Sequence, residues 1–168
     1  MRIKVVSKEE AISICGRKED HFFDRKAAAI KGAKLQRIAV ALANAEGGEF
    51  CVGVADDREQ DNPELRWSGA ENVEDFNQHI QALLEVQPPL PLEFSFLKSP
   101  LSENYVLFVQ VEKSQHVHQT ADRTVYVRKG AQSLPLEDAA QVTALSHAKR
   151  CNIFRRFLCR GCYRRGHC

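Results

Sequence analysis

The sequence predicts a mixed α/β (α+β) domain in which helices pack on one mixed sheet, and three observations carry that expectation. Two stretches, 31–45 and 72–86, repeat their apolar residues at helical spacing. Several short runs rich in Val and Phe, bounded by glycine or proline, have the length of strands. The two kinds of segment are interspersed along the chain, which favours helices layered on a sheet over an all-helical bundle or a sandwich.

The elements follow in order. Ser7-Lys8-Glu9-Glu10 has the S-x-x-E form of a capping box and opens a short helix that runs to about Cys15, with Gly16 at its end. Residues 20–26 mix aromatic and charged side chains and read as a strand. In the helix 31–45, Leu35, Ile38, Ala39, Leu42 and Ala43 share one face. Asn44-Ala45-Glu46-Gly47-Gly48 stops it, because glycine tolerates the positive φ of a helix C-cap. Phe50–Val54 is a short, largely apolar strand of the kind buried on both faces, with Asp56 and Asp57 beyond its C-terminal end. A polar loop over 58–71 leads to the helix 72–86, apolar at Val73, Phe76, Ile80, Leu83 and Leu84 and ended by Pro88, Pro89 and Pro91. Strands are expected at 93–97 and 105–111, then a solvated loop with His116 and His118, then a strand over 124–128. The turn at Lys129-Gly130-Ala131 and Pro135 precede a last helix near 136–149.

Composition narrows the class. The chain has 168 residues, 43% hydrophobic and 27% charged, which suits one globular domain with an appendage. No apolar run approaches the roughly 18 residues of a membrane span. The N-terminus lacks the pattern of a secretory signal, so no membrane association and a cytoplasmic location are expected. Cys15 and Cys51 read as reduced, partly buried thiols, whereas the other four cysteines crowd the last 18 residues. That segment, 151–168, also holds five arginines and no acid. Without them, positions 1–150 carry 19 basic against 22 acidic residues. A mildly acidic domain over 1–150 thus precedes a basic Cys/Arg-rich tail, and such an arm favours a polyanionic partner.

Three separated patches bear on function. The first is Glu19-x4-Asp24-Arg25-Lys26. The second is Ala41-Leu42-Ala43-Asn44-Ala45-Glu46-Gly47-Gly48 followed by Val52-Gly53-Val54-x-Asp56-Asp57. The third is Val111-Glu112-Lys113-Ser114, then Val125-Tyr126-Val127-Arg128-Lys129-Gly130. In order and spacing the chain resembles the AlbA_2 (Schlafen-type) family of nucleic-acid-binding domains over roughly residues 8–140. The resemblance implies a Schlafen-lobe-like fold and binding of RNA or DNA. Its narrower form implies a metal-dependent endoribonuclease acting on structured RNA. The sequence departs from the pattern in three ways. Asp24 stands where the family has Glu, Ala55 separates Gly53-Val54 from the acidic pair, and only one lobe is present where the Schlafen core joins two. A homodimer would supply the second lobe.

The chemistry of the patches agrees with phosphodiester recognition. Glu19, Asp24 and Asp56 or Asp57 form an acidic set beside Lys26. Carboxylate oxygens suit Mg²⁺ or Mn²⁺, with Glu19, Asp24 and Asp57 as ligands, and Lys26 would orient water or neutralise the scissile phosphate. A solvated strand face or a salt bridge of Asp24 with a lysine explains the same residues equally well. Arg123, Arg128 and Lys129 are positioned for phosphate contact, and Tyr126 for stacking on a base. The rival reading places Tyr126 in the core and Arg128 in a structural ion pair. Asn44-x-x-Gly47-Gly48 is read as a helix C-cap before a tight turn and lacks the lysine and hydroxyl of a nucleotide-binding P-loop. In the tail, Cys159, Cys162, His167 and Cys168 begin like a zinc knuckle, with Cys151 as a substitute ligand for Zn²⁺. Read as an arginine-rich arm instead, the tail attracts phosphates through Arg155 and Arg156. A regulatory or protein-interaction domain without nucleic acid is the alternative to both nucleic-acid readings.

Overall fold

A computed structural model describes the backbone of residues 2–161 and the side chains of residues 2–150. Seven strands, β1 (Arg2–Val5), β2 (Phe23–Lys26), β3 (Gly48–Val52), β4 (Leu92–Ser99), β5 (Ser102–Val111), β6 (Val125–Lys129) and β7 (Gln132–Leu136), alternate with four helices. The helices are α1 (Lys8–Gly16), α2 (Gly32–Asn44), α3 (Asn77–Leu84) and α4 (Ala139–Gly161), with short 3-10 turns at Pro63–Leu65 and Val73–Phe76. Five strands form one mixed sheet in the order β1-β4-β5-β3-β2, and β6 and β7 form a separate hairpin. The expected α/β architecture is present.

Helices cover both faces of the large sheet. On one face Leu35, Ile38, Ala39 and Leu42 of α2 and Leu83 of α3 bury Phe50, Val52, Phe96, Leu107 and Val109. On the other, Ala11 and Cys15 of α1 pack with Phe23, Cys51, Val54, Trp67, Leu97 and Val106. The α2 apolar stripe is the one its helical spacing predicts. β2 and β3 run parallel, joined through α2, in a register that sets Asp24 opposite Phe50 and Arg25 opposite Cys51. The adjacency expected of these two strands is therefore observed. It also sorts their side chains: Asp24 and Lys26 share the α2 face, whereas Phe23 and Arg25 share the α1 face.

Several boundaries differ from the sequence-based expectation. β1 lies on the sheet edge beside β4, and all four of its residues are exposed, so no buried stripe marks it in the sequence. β7 occupies the place expected for a turn and the start of the last helix. Its Pro135 faces Tyr126 in a two-stranded hairpin, where an edge position tolerates the missing N–H. α4 begins only at Ala139 and continues through position 150 to Gly161. His118, expected in a solvated loop, is 1% exposed. Its ring nitrogens reach Pro88 O at 2.7 Å and Ser114 Oγ at 2.6 Å, and its backbone N–H donates to Asn44 Oδ1 at 2.8 Å. Asn44 also donates through Nδ2 to His118 O and Tyr126 O. It thereby ties α2 to both the 114–120 loop and β6, a role beyond the helix C-cap reading.

Lys149 pins α4 to the same region, donating from Nζ to Ala43 O at 3.0 Å and Ser114 O at 2.7 Å. Burial, helped by the nearby Lys113 charge, pulls its ammonium down to about 8. Between that value and the unfolded lysine range near 10.5, the unfolded chain holds more protons, so stability rises with pH across this window. The unfolding free energy of the wild type relative to Lys149→Met should therefore climb by ~1–3 kcal/mol between pH 8 and about 10 in urea titrations. A flat difference would contradict the burial of this ammonium. A second outcome concerns Gly53 (φ 110°) and Gly69 (φ 51°), which approach so closely that a Cβ on Gly53 would lie 2.8 Å from Gly69 Cα. Gly53→Ala should cost about 2 kcal/mol or more in the same assay.

Candidate functional site

β2 is the outermost strand on its side of the sheet, and the residues singled out in the first patch surround its free edge. Phe23 and Arg25 point their backbone groups away from β3, and each group is satisfied. Phe23 N–H donates to Asp20 Oδ1 at 2.8 Å, and Phe23 O accepts from Asp20 N at 3.0 Å and from Arg128 Nη2 at 3.1 Å. Arg25 N–H donates to Glu19 Oε1 at 3.2 Å, and Arg25 O accepts from Lys26 Nζ at 2.9 Å.

These edge contacts draw four charged side chains together. Lys26 Nζ bonds both Glu19 Oε1, at 2.5 Å, and Asp24 Oδ1. Arg128 Nη1 reaches Asp24 Oδ2 at 2.7 Å. Asp24 and Arg128 are only 2% and 4% exposed, while the Glu19 and Lys26 side chains retain about a third of their surface. Burial pushes the Asp24 carboxyl above its ordinary range, opposed by Lys26 and reinforced by Glu19. Glu19 moves the other way: its partial burial acts upward, but hydrogen bonds from Lys26 and Asp24 outweigh it and lower the carboxyl. Desolvation works to lower the Lys26 ammonium, yet the two carboxylates raise it. The result is a pair of carboxylates, one internal and one at the surface, bridged by one ammonium.

Asp57 is elsewhere. Its Oδ1 accepts from Arg25, on the opposite face of β2, and forms an ion pair with Arg66, whose Nη1 lies 2.8 Å away. Side chains of successive strand residues point to opposite faces, so an acid bound to Arg25 cannot join the set around Asp24. Asp56 is exposed on the same turn, where its carbonyl accepts from Glu59 N and Gln60 N. Among the described residues, no three His, Cys, Asp or Glu side chains converge as a metal cluster.

The third patch divides in a similar way. Arg128 is wholly engaged with Asp24, Asp20 O and Phe23 O, so its guanidinium works as an internal clasp. Tyr126 is 7% exposed and packs with Val40, Ala41 and Val86, with Arg37 over its ring. Both residues take the core and ion-pair positions, leaving neither a free phosphate contact nor an open stacking surface. Lys129 and Arg123 are exposed, Arg123 at a positive φ of 64° in the turn before β6. The side chains of Arg155, Arg156, Cys151 and Cys159, together with Cys162, His167 and Cys168, lie outside the described residues.

A family model, Schlafen, AlbA_2, matches residues 19–137 and so spans all three patches and the whole edge cluster. The chain belongs to the Schlafen AlbA_2 family. The DIP2311 protein from Corynebacterium diphtheriae has a similar fold, with a TM-score of 0.52 and 15% identity. That likeness covers 77% of this AlbA_2 chain and 26% of the bacterial one, so the chain spans about a quarter of that protein's length. No curated protein matches this chain. Within the Schlafen AlbA_2 domain, the charged cluster is also what fastens the β6–β7 hairpin to the sheet. Breaking a buried pair by removing one partner strands a charge, so Arg128→Met should lose about 3–5 kcal/mol of unfolding free energy. The double variant Asp24→Asn, Arg128→Met should lose less than the two single losses added together, as measured in guanidinium titrations.

Proposed function

We propose that this domain binds nucleic acid through the phosphate backbone, with the Glu19–Asp24–Lys26 cluster at the point of contact. The supporting observation is that β2 and the loop before it gather two acids and a lysine at one free sheet edge, where the Glu19 and Lys26 side chains are each about one-third open to solvent. Exposed Arg123 and Lys129 flank β6, whose Arg128 is clasped to that cluster, and the arginines of the tail add attraction that weakens with salt. Membership of the Schlafen AlbA_2 family supports the same reading. Among the described residues no helix is long and apolar enough to cross a membrane.

One observation favours a catalytic version. Glu19 and Asp24 aim carboxylate oxygens at a single cation position, the one held by Lys26 Nζ. Mg²⁺ is commonly bound by one or two carboxylates together with substrate phosphates, so Glu19 and Asp24 fit such an ion without Asp57. A bound divalent ion there would stabilise charge on the phosphodiester oxygens. Lys26, displaced from the carboxylates, would stay close enough to pair with a phosphate. In this version the enzyme is an endoribonuclease, and a second copy supplies the other lobe of a homodimer.

Fluorescence anisotropy with tRNA and duplex DNA between 50 and about 200 mM salt tests the binding claim, since each phosphate contact contributes a slope of roughly 0.7–0.9 in log–log form. Arg123→Ala with Lys129→Ala should weaken every substrate a few-fold and flatten that slope. Negligible retention of RNA and DNA at low salt would move the assignment to a protein partner. For cleavage, Glu19→Gln is the informative variant, because Asp24 is embedded in the fold. RNA cut in Mn²⁺, and spared by EDTA or Glu19→Gln, supports the nuclease; tight binding of RNA that stays intact rejects it. Light scattering of the free and RNA-bound protein reads the dimer.

A further inference from the structure

The opposite face of β2 carries a second charged assembly that the backbone contact does not use. Arg25 and Arg66 are both nearly buried, at 5% and 6% exposed. They converge on the same two acceptors: Asp57 Oδ1 and Cys15 O, the latter reached by Arg66 Nη1 at 3.1 Å and also by Arg25 Nη1. The remaining Arg66 donors are fixed by Gln60 O at 2.6 Å and Asp61 O at 2.8 Å. Two guanidiniums are thus held side by side by a rigid set of carbonyls.

Their charges are not balanced. One carboxylate offsets one guanidinium, and Cys15 O, near the end of α1, adds only about half a charge as part of the helix dipole. The Cys15 thiol contributes none, because burial keeps it protonated, with its titration pushed up to about 11. Asp57, the one carboxylate paired with them among the described residues, lies on an exposed turn and leaves its side chain 51% open to solvent. A buried pair of cations thus shares one removable counter-ion.

We propose that Arg25 and Arg66 form a phosphate-monoester site at which Asp57 is the resident stand-in, and that its ligand is the terminal phosphate of a nucleic-acid strand. A terminal phosphate carries about −1.5 to −2 charges at neutral pH and three acceptor oxygens, so it matches two guanidiniums better than a carboxylate does. An internal phosphodiester carries a single charge and lacks that match. Planar guanidinium forks suit such a group geometrically as well. The guanidinium pair is covered from solvent by Asp57, beside the carboxyl ends of the parallel strands β2 and β3, where Lys26 O accepts from Gly53 N and Val54 N. In open α/β sheets ligands gather at this end. The inference rests on the nucleic-acid reading for its ligand, but not for the existence of the anion site.

Two measurements test it. The first compares oligoribonucleotides of one sequence bearing a 5′-phosphate, a 3′-phosphate or hydroxyl ends. The wild type should bind one phosphorylated form at least five-fold more tightly than the hydroxyl form. Arg66→Gln should abolish that preference while leaving hydroxyl-ended binding in place, an effect that general destabilisation would not produce. The second needs no nucleic acid and remains informative where Arg66→Gln fails to fold. The neutral isostere Asp57→Asn should show a larger rise in melting temperature in inorganic phosphate than in chloride of equal ionic strength, and a larger rise than the wild type. Equal affinity for phosphorylated and hydroxyl ends overturns the assignment to strand ends. The absence of any phosphate-specific shift in Asp57→Asn overturns the anion site itself. Should phosphate stabilise Asp57→Asn while no oligonucleotide binds, the anion site stands and the nucleic-acid reading fails.

Discussion

An edge strand must satisfy its outward backbone groups, and in this domain β2 does so almost entirely with charged side chains. Glu19 takes the Arg25 N–H, Asp20 Oδ1 takes the Phe23 N–H, Arg128 covers the Phe23 carbonyl together with the Asp20 backbone N–H, and Lys26 turns back onto the Arg25 carbonyl. A bare edge of this length would invite pairing with another chain. Here the closure is ionic, and its consequence is local order. The loop before β2 is tied to the strand, and a hairpin more than a hundred residues away is tied to that loop. Arg128 is placed by Asp24, and this pair joins the Asn44–Tyr126 bond and the Tyr126 packing on α2 in orienting β6 and β7.

The alternation of side chains along β2 then determines what this charge can do. Four successive residues send Asp24 and Lys26 to one face and Phe23 and Arg25 to the other. On the first face two carboxylates meet a rim ammonium, Lys26, and a buried guanidinium, Arg128. On the second, two buried guanidiniums meet one surface carboxylate. The first assembly balances its fixed charges and the second has a cationic surplus, although they share a strand only four residues long.

Most of the element order was legible in the sequence, because it follows from local rules. The capping box at Ser7–Glu10, the α2 stripe, its glycine stop and the adjacency of β2 and β3 all appear where pattern and turn chemistry place them. What was not legible depends on partners distant in sequence. β1 has no buried face, and its identity as a strand comes only from pairing with β4. β7 contains Pro135, a residue that reads as a breaker until its neighbour β6 is known. Asp57 follows β3 closely enough to look like a companion of Asp24, yet the turn after Val54 carries it around to Arg25. Tyr126 and Arg128 share a spacing compatible with a surface or a core, and only Asn44, Arg37 and Asp24 decide between them. His118 is similar: its polar neighbours in the chain suggest solvent, whereas Asn44, Ser114 and Pro88 satisfy it inside the fold.

The edge cluster also constrains how its chemistry can be separated from its structural work. Asp24 and Arg128 are interior groups, and their loss would be felt first in the fold. Glu19 and Lys26 remain partly solvated, so their interactions are more exchangeable and water or an ion can compete for them. The proposed exchange of an ammonium for a divalent ion would draw on this asymmetry: one carboxylate held rigidly by a buried arginine, the other free to adjust. The Asp24–Arg128 pair supplies the rigid half, and the Glu19–Lys26 rim supplies the adjustable one. In this domain the same ion pair that closes the sheet edge sets the reference position from which any exchange at the rim must occur.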